Sequence, residues 1–240
     1  MKEKLIVALD VSTRQEALRL AEQLWDSVGA FKIGMQLYNS EGPDIIRDIQ
    51  ALGGKVFVDL KFHDIPNTVC QTSRVITRRE AFMFSIHASG GKEMMQKSAC
   101  AVREVSHELK IAKPLVIAIT VLTSINQEVF ENEVGIQKPI EEQVVSWAKL
   151  AQEAGLDGVV ASPKEIKAIR HACGPDFVIV TPGIRPLWAT SNDQKRVMTP
   201  GEAVKEGATY LVVERPITNH PHPEQAARKI VEEMEEALDA

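Results

Sequence analysis

The amino-acid sequence predicts an α/β protein, a single (β/α)8 TIM barrel spanning residues 1–240. Three observations support this fold class. Eight short apolar runs recur along the chain, the segments between them carry helical signals, and no linker divides the chain. The length of 240 residues is close to the roughly 250 that such a barrel usually needs.

The eight candidate strands are nearly continuous apolar runs, which is typical of parallel strands covered by helices. An open, doubly wound sheet is the alternative. The sequence lacks both the Gly-x-Gly-x-x-Gly fingerprint and the Walker lysine loop that often accompany that sheet. The candidate strands are Leu5–Leu9, Phe31–Ile33, Val56–Leu60, Phe82–Ile86, Leu115–Val121, Gly158–Ala161, Phe177–Val180 and Tyr210–Val213.

Helix starts follow several of these strands. Ser12, Ser162 and Thr199 each have Gln or Glu three residues later, the spacing of a capping box. Apolar residues at helical spacing predict amphipathic helices over Lys92–Lys110 and Pro223–Leu238.

Composition narrows the class of protein. The formal net charge of −5 argues against a nucleic-acid binder, because a phosphate backbone favours a basic face. No apolar stretch approaches the roughly 20 residues of a membrane helix, so no membrane partner is expected. The three cysteines, Cys70, Cys100 and Cys173, form neither a disulfide framework nor a zinc knuckle, which favours the reducing cytoplasm.

Charged residues stand at the end of the third candidate strand. Asp59 and Lys61 are two positions apart and so share one side of the strand. In a barrel, the carboxyl end of a strand lies at the mouth, where active sites are built. A plain ion pair at a strand end is the structural alternative.

Two further charged residues favour a catalytic site over that alternative. Asp10 ends the first strand, and Lys32 lies within the apolar second strand, where burying a lysine is costly. Asp64 follows in the loop after Lys61. Acids and bases from three neighbouring strands are thus expected at one mouth, an arrangement typical of catalysis.

An anion site is expected nearby. Arg185 follows the seventh strand and Arg215 follows the eighth, where barrels commonly bind phosphate. Either arginine alone could be a solvated surface charge, but the pair indicates a clamp. No metal site is predicted, because the His220-Pro221-His222 pair has no third ligand close by in the sequence.

The chain resembles the orotidine 5′-monophosphate decarboxylase family in its bacterial form. The segment Asp59–Thr68 looks like the family's signature, and further motifs match in family order along most of the chain. These are Ala8–Asp10, Phe31–Gly34, His87–Gly91, Thr120–Ser124, Thr181–Arg185, Asp193–Arg196 and Arg215–Thr218.

The resemblance implies decarboxylation of orotidine 5′-monophosphate to uridine 5′-monophosphate, the last step of de novo pyrimidine nucleotide synthesis, without metal or cofactor. Lys32, Asp59, Lys61 and Asp64 would form an alternating row of charges. The substrate carboxylate would sit against Asp59, and Lys61 would stabilise and protonate the carbanion. The family builds each site from two chains, which implies a homodimer with Asp64 contributed across the interface.

The resemblance also assigns substrate contacts. Asp10 and Lys32 would hold the ribose hydroxyls, Arg185 and Arg215 the phosphate, and Gln194, in a closing lid, both phosphate and base. Thr123 and Ser124 would contact the pyrimidine edge or the ribose. The full substrate-binding set is Asp10, Lys32, Thr68, Thr123, Ser124, Pro182, Arg185, Gln194, Glu214 and Arg215.

Glu214 departs from the family pattern, which usually has glycine before the final arginine. The backbone amide can still bind phosphate if the side chain turns away, whereas a carboxylate facing the phosphate would weaken binding. Two other functions stay open: a magnesium-dependent sugar-phosphate decarboxylase or aldolase of the same superfamily, and a catalytically idle barrel that binds nucleotides.

Overall fold

The computed structural model describes residues 1–189 and 198–239 of the chain. Eight parallel strands pair in chain order, and β1 also pairs with β8, so the barrel is closed as predicted. Each strand lies within two residues of its predicted bounds. The strands are β1 Leu5–Ala8, β2 Ala30–Gly34, β3 Val56–Phe62, β4 Met83–His87, β5 Leu115–Ile119, β6 Gly158–Val160, β7 Val178–Thr181 and β8 Tyr210–Val213.

Helices surround the barrel, and both predicted amphipathic helices are found to within one residue. The α-helices in the described ranges are α1 Arg14–Leu24, α2 Met35–Glu41, α3 Asp44–Ala51, α4 Pro66–Arg78, α5 Gly91–Leu109, α6 Gln127–Asn132, α7 Ile140–Glu153, α8 Ile166–Cys173, α9 Pro200–Lys205, α10 Arg215–Thr218 and α11 Pro223–Asp239. Within those ranges, none is both long enough and apolar enough to cross a membrane.

The predicted helix starts are right in one case and modified in two. Thr199 forms the reciprocal capping box with Glu202 at the start of α9. The cap of α1 is Thr13 instead of Ser12, because the Thr13 hydroxyl accepts the amide of Glu16 at 3.3 Å. Ser162 accepts the amide of Lys164 and begins a 3-10 turn before α8.

Two apolar layers hold the barrel together. The larger layer fills the space between strands and helices. The smaller layer fills the barrel interior with buried side chains from most of the strands, and Phe57 is its largest member. The interior layer is Ile6, Ala8, Ala30, Phe57, Met83, Ile117, Val180 and Val212. Towards the carboxyl ends of β2, β3 and β4, the side chains that face the barrel interior are polar instead of apolar.

One arginine joins the opposite, amino-terminal ends of β7 and β8. The guanidinium of Arg170, near the end of α8, donates hydrogen bonds to the carbonyls of Gly174, Pro175 and Phe177 at 2.7–2.8 Å. It also donates to the carbonyl of Gly207, in the loop before β8, at 2.6 Å. This cation satisfies carbonyls at a helix end and in two loops.

Candidate active site

Four of the predicted charged residues meet at the mouth of the barrel. The ammonium of Lys61 lies 2.8 Å from Oδ2 of Asp59, and the ammonium of Lys32 lies 3.8 Å from the same oxygen. Lys32 also donates to Asp10, with Nζ 3.0 Å from Oδ1. Lys32 and Asp59 are buried. The result is a row of alternating charge that runs from β1 to β3.

Ser85, on β4, supports this row from behind. Its hydroxyl donates to Oδ1 of Asp59 at 2.8 Å and accepts the backbone amide of Lys61 at 3.0 Å. The side chain is fully buried. Both carboxylate oxygens of Asp59 are therefore held, one by Ser85 and the other by the two lysines.

An irregularity in β3 explains why Ser85 reaches both groups. Val58 pairs with Phe84 and Phe62 pairs with Ile86, so the three residues between Val58 and Phe62 oppose Ser85 alone. A bulge of this kind bends a strand and re-aims its side chains, often beside active sites.

Lys61 adopts a left-handed backbone conformation within this bulge, with φ of 55°. Such a conformation costs a non-glycine residue about 1–2 kcal/mol. The hydrogen bond from the Lys61 amide to Ser85 offsets part of that cost. The strained conformation directs the Lys61 side chain into the mouth.

A cavity of about 200 Å³ opens against the charged row. Lys32, Asp59 and Lys61 line one side, and apolar side chains from the other strands line most of the rest. A flat ring with one polar edge fits such a space, because the apolar walls exclude water and strengthen the interaction with the charges. Thr123 and Pro182 complete the lining.

A second cavity, of about 150 Å³, shares Lys32, Pro182 and Val212 with the first. Arg185 and Arg215 line it from the ends of β7 and β8, together with Gly183. This basic compartment is where the sequence predicted an anion clamp. The two cavities form one cleft with an apolar part and a basic part.

Glu214 also lines the basic compartment. Its Oε2 lies 4.0 Å from Nε of Arg215. Burial raises the pKa of the Glu214 carboxyl and nearby Asp10 raises it further, whereas Arg215, Lys32 and Arg185 act in the opposite direction. The side chain thus lies in the compartment and does not turn away from it.

Three predicted site residues lie apart from the cleft. Asp64, Thr68 and Ser124 are exposed, and none of them lines either cavity. The carboxylate of Asp64 accepts the amide of the following residue, Ile65, at 2.7 Å. Gln194 lies outside the described residues.

Two histidines lie near Lys61. The rings of His63 and His87 lie 5.1 Å apart. Burial lowers the pKa of His87, and the neighbouring His63 and Lys61 lower it further. Because His87 favours its neutral form, it adds no charge to the row at neutral pH.

Sequence reasoning missed Ser85 and the role of Gly34. A Cβ at position 34 would lie 2.6 Å from Oδ1 of Asp10 and 3.0 Å from Nζ of Lys32, so only glycine leaves room for that ion pair. Strand alternation could have revealed Ser85, because it shares the inner side of β4 with buried Met83.

Residues 3–230 match the model described as the orotidine 5′-phosphate decarboxylase / HUMPS family. The chain belongs to this family.

Close relatives agree with the assignment to the orotidine 5′-phosphate decarboxylase / HUMPS family. A protein of Syntrophomonas wolfei named orotidine 5′-phosphate decarboxylase is 55% identical, over 98% of this chain and 99% of its own. A Heliobacterium modesticaldum protein of the same name is also 55% identical, over 99% and 98%. The crystal structure of orotidine 5′-phosphate decarboxylase from Lactobacillus acidophilus superimposes with a TM-score of 0.85 at 35% identity, covering 96% of this chain and 98% of its own.

Proposed function

We propose that this chain decarboxylates orotidine 5′-monophosphate to uridine 5′-monophosphate, the last step of de novo pyrimidine nucleotide synthesis. The observation that supports this most directly is the Lys32–Asp59–Lys61 row along one side of an apolar cavity that adjoins a basic compartment. A pyrimidine ring suits the first cavity and a phosphate the second. Family membership and the names of close relatives point to the same reaction.

Lys61 is the proton donor in this proposal. When the bond to the carboxylate carbon breaks, carbon dioxide leaves and the electron pair stays on the ring carbon. The Lys61 ammonium, held by Asp59 at 2.8 Å, stabilises this carbanion and transfers a proton to it. Lysine suits the task because its charge is compact and its proton is transferable, unlike that of arginine.

The remaining contacts bind the nucleotide away from the breaking bond. Arg185 and Arg215 would hold the phosphate. Asp10 and Lys32 would hold the ribose hydroxyls. Thr123, which lines the apolar cavity, would contact the pyrimidine edge. Binding energy from the remote phosphate can then be used to stabilise the transition state.

A homodimer would complete the site. Asp64 and Thr68 stand exposed outside the cleft of their own chain, and Ile65 between them is 67% exposed. An exposed apolar side chain beside a carboxylate that lies outside its own cleft suits a surface that docks on a second copy. Asp64 of the partner subunit would then extend the charged row beyond Lys61.

The reducing cytoplasm is the proposed compartment for this reaction. Cys70, Cys100 and Cys173 are all free thiols. Unpaired cysteines are usual in proteins of a reducing compartment, whereas secreted proteins tend to pair theirs.

Turnover assayed by the loss of orotate absorbance tests the proposal. We expect the wild-type protein to be active and Lys61→Ala to lose at least about a thousand-fold in kcat, since both proton donation and charge stabilisation disappear. Circular dichroism and thermal melting of the variant should match the wild type. Near-normal activity of Lys61→Ala would refute its role as proton donor.

The two remaining alternatives give different results in the same assay. A magnesium-dependent sugar-phosphate enzyme would lose its activity with a chelator and would not consume orotidine monophosphate. An idle nucleotide-binding barrel would bind uridine monophosphate without turnover. Relatives at 50–55% identity that are named orotidine 5′-phosphate decarboxylase favour neither alternative.

A further inference from the structure

The side chain of Glu214 occupies the part of the cleft that would receive the phosphate. Glu214 directly precedes α10 and lines the same basic compartment as Arg185 and Arg215, with its Oε2 4.0 Å from Nε of Arg215. Its side chain is 37% exposed, so it is partly shielded from water. A negative charge thus stands in a pocket whose cations suit an anionic ligand.

The charges around Glu214 come from each wall of the compartment. Asp10 faces it from the end of β1, Lys32 from β2, Arg185 from the loop after β7 and Arg215 from α10. Among the described residues, the compartment therefore holds three cations and two carboxylates. A phosphate dianion entering it would meet both the cations and the Glu214 carboxylate.

We propose that Glu214 acts as an internal competitor for the phosphate site, so that its negative charge weakens the binding of phosphate-bearing ligands. The assignment of the ligand as a nucleotide rests on the proposed function. The opposition between the carboxylate and the phosphate rests only on the geometry of the compartment. Like charges a few ångströms apart in a partly shielded site repel strongly.

The competition depends on pH. Burial and Asp10 raise the pKa of Glu214, so the carboxyl is neutral over a wider acidic range than an ordinary glutamate. A neutral carboxyl does not oppose phosphate. As pH rises through this pKa, the charge appears and affinity for phosphate falls. Protonation of the Glu214 carboxyl therefore favours phosphate binding.

The test compares Glu214→Gln with the wild type. Dissociation constants for uridine monophosphate and uridine are measured by calorimetry at fixed ionic strength, from about pH 5.5 to 8.5, around and above the second ionisation of phosphate near pH 6. Because the phosphate of the ligand ionises in the same way in both titrations, the ratio of the two affinities reports the effect of the Glu214 charge alone. Glu108→Gln, an exposed change at the far end of α5, removes the same charge away from the mouth.

We expect Glu214→Gln to bind uridine monophosphate about tenfold more tightly than the wild type at pH 8, where an opposing charge is lost. The ratio should shrink towards one on acidification. Uridine affinity should not change, and Glu108→Gln should behave as the wild type. Glu214→Gly, which removes the side chain altogether, should tighten nucleotide binding in the same way.

Equal nucleotide affinity in the wild type, Glu214→Gln and Glu214→Gly would overturn the inference, as would equal tightening for uridine. Binding of inorganic phosphate in the same series separates this inference from the proposed function. If the nucleotide fails to bind but phosphate still binds more tightly to Glu214→Gln, the inference stands and the nucleotide assignment falls. If orotidine monophosphate is turned over but Glu214→Gln tightens neither ligand, the inference alone is wrong.

Discussion

At the scale of single residues, Ser85 shows how one hydroxyl serves two groups. It accepts the amide of Lys61 and donates to the carboxylate of Asp59. The first bond holds the strained backbone of the proposed proton donor, and the second orients its ion-pair partner. Ser85 is therefore a positioning residue that lies behind the charged row.

Ser85→Ala should lower kcat about 10- to 100-fold, because a buried hydrogen bond to a charged group is worth about 1.5–3 kcal/mol. KM should change little, since the substrate-binding groups stay in place. Steady-state kinetics separates the two constants. Ser85→Thr, which keeps the hydroxyl, should restore most of kcat.

Ser98→Ala is the matched control for Ser85→Ala. Ser98 is equally buried, and its hydroxyl bonds to Ser73 at 2.7 Å, away from the mouth. This variant should lose thermal stability but keep kcat. If Ser85→Ala behaved in the same way, its role would be structural only.

The charged residues of the site could be predicted from sequence because each breaks a local pattern. Asp59 and Lys61 interrupt an apolar strand, and Lys32 lies in another. Strand alternation places Ser85 on the inner side of β4, but its contacts with Asp59 and Lys61 depend on the bulge in β3, which the sequence does not signal. The orientation of Glu214 likewise depends on tertiary packing and not on its neighbours in sequence.

At the scale of elements, the eight strands could be located from sequence because burial on both faces makes each one a short apolar run. The predicted ends of the strands differ from the observed ends by up to two residues. The cap of α1 shifted from Ser12 to Thr13, because adjacent hydroxyl residues compete for the same position. The register change between β3 and β4 has no sequence signal of its own.

Arg170 should be important for stability and not for catalysis. Arg170→Met should lower the free energy of unfolding by about 2–4 kcal/mol, because several carbonyls lose a charged donor. Activity at 25 °C should be unchanged, since these contacts lie at the amino-terminal ends of the strands. Denaturant unfolding together with an activity assay measures both.

Lys167→Ala on the same helix provides the comparison. Its ion pair with Glu206 is at the surface, with 77% of the lysine side chain exposed. Such pairs are worth at most about 1 kcal/mol. A loss of kcat in Arg170→Met, or equal stability of the two variants, would contradict the assignment of Arg170.

At the scale of the whole molecule, the barrel separates its tasks between two ends. The carboxyl ends of the strands gather the charged row and the basic compartment, and the amino ends are joined by contacts such as those of Arg170. The exposed segment from Asp64 to Thr68 belongs to the first end. This placement suits an interface beside the active site.

If the active site is shared between subunits, two inactive variants should restore activity to each other in a mixed dimer. Asp59→Asn and Asp64→Asn should each be nearly inactive alone. After mixing with subunit exchange, half of the dimers are expected to be mixed, and each of these has one intact site, so about a quarter of wild-type activity should return. The assay follows activity after mixing. No recovery despite subunit exchange, verified by mass spectrometry, would argue that Asp64 is not shared.

The left-handed backbone of Lys61 limits how this barrel can be engineered. Among the described residues, Glu80 and Lys110 are the other non-glycine positions with positive φ, and both follow helices. Glycine at those two helix ends relieves unfavourable torsion at no chemical cost. The same replacement at position 61 removes the amine, so a design method that scores torsion alone would favour a more stable protein that lacks the proposed proton donor.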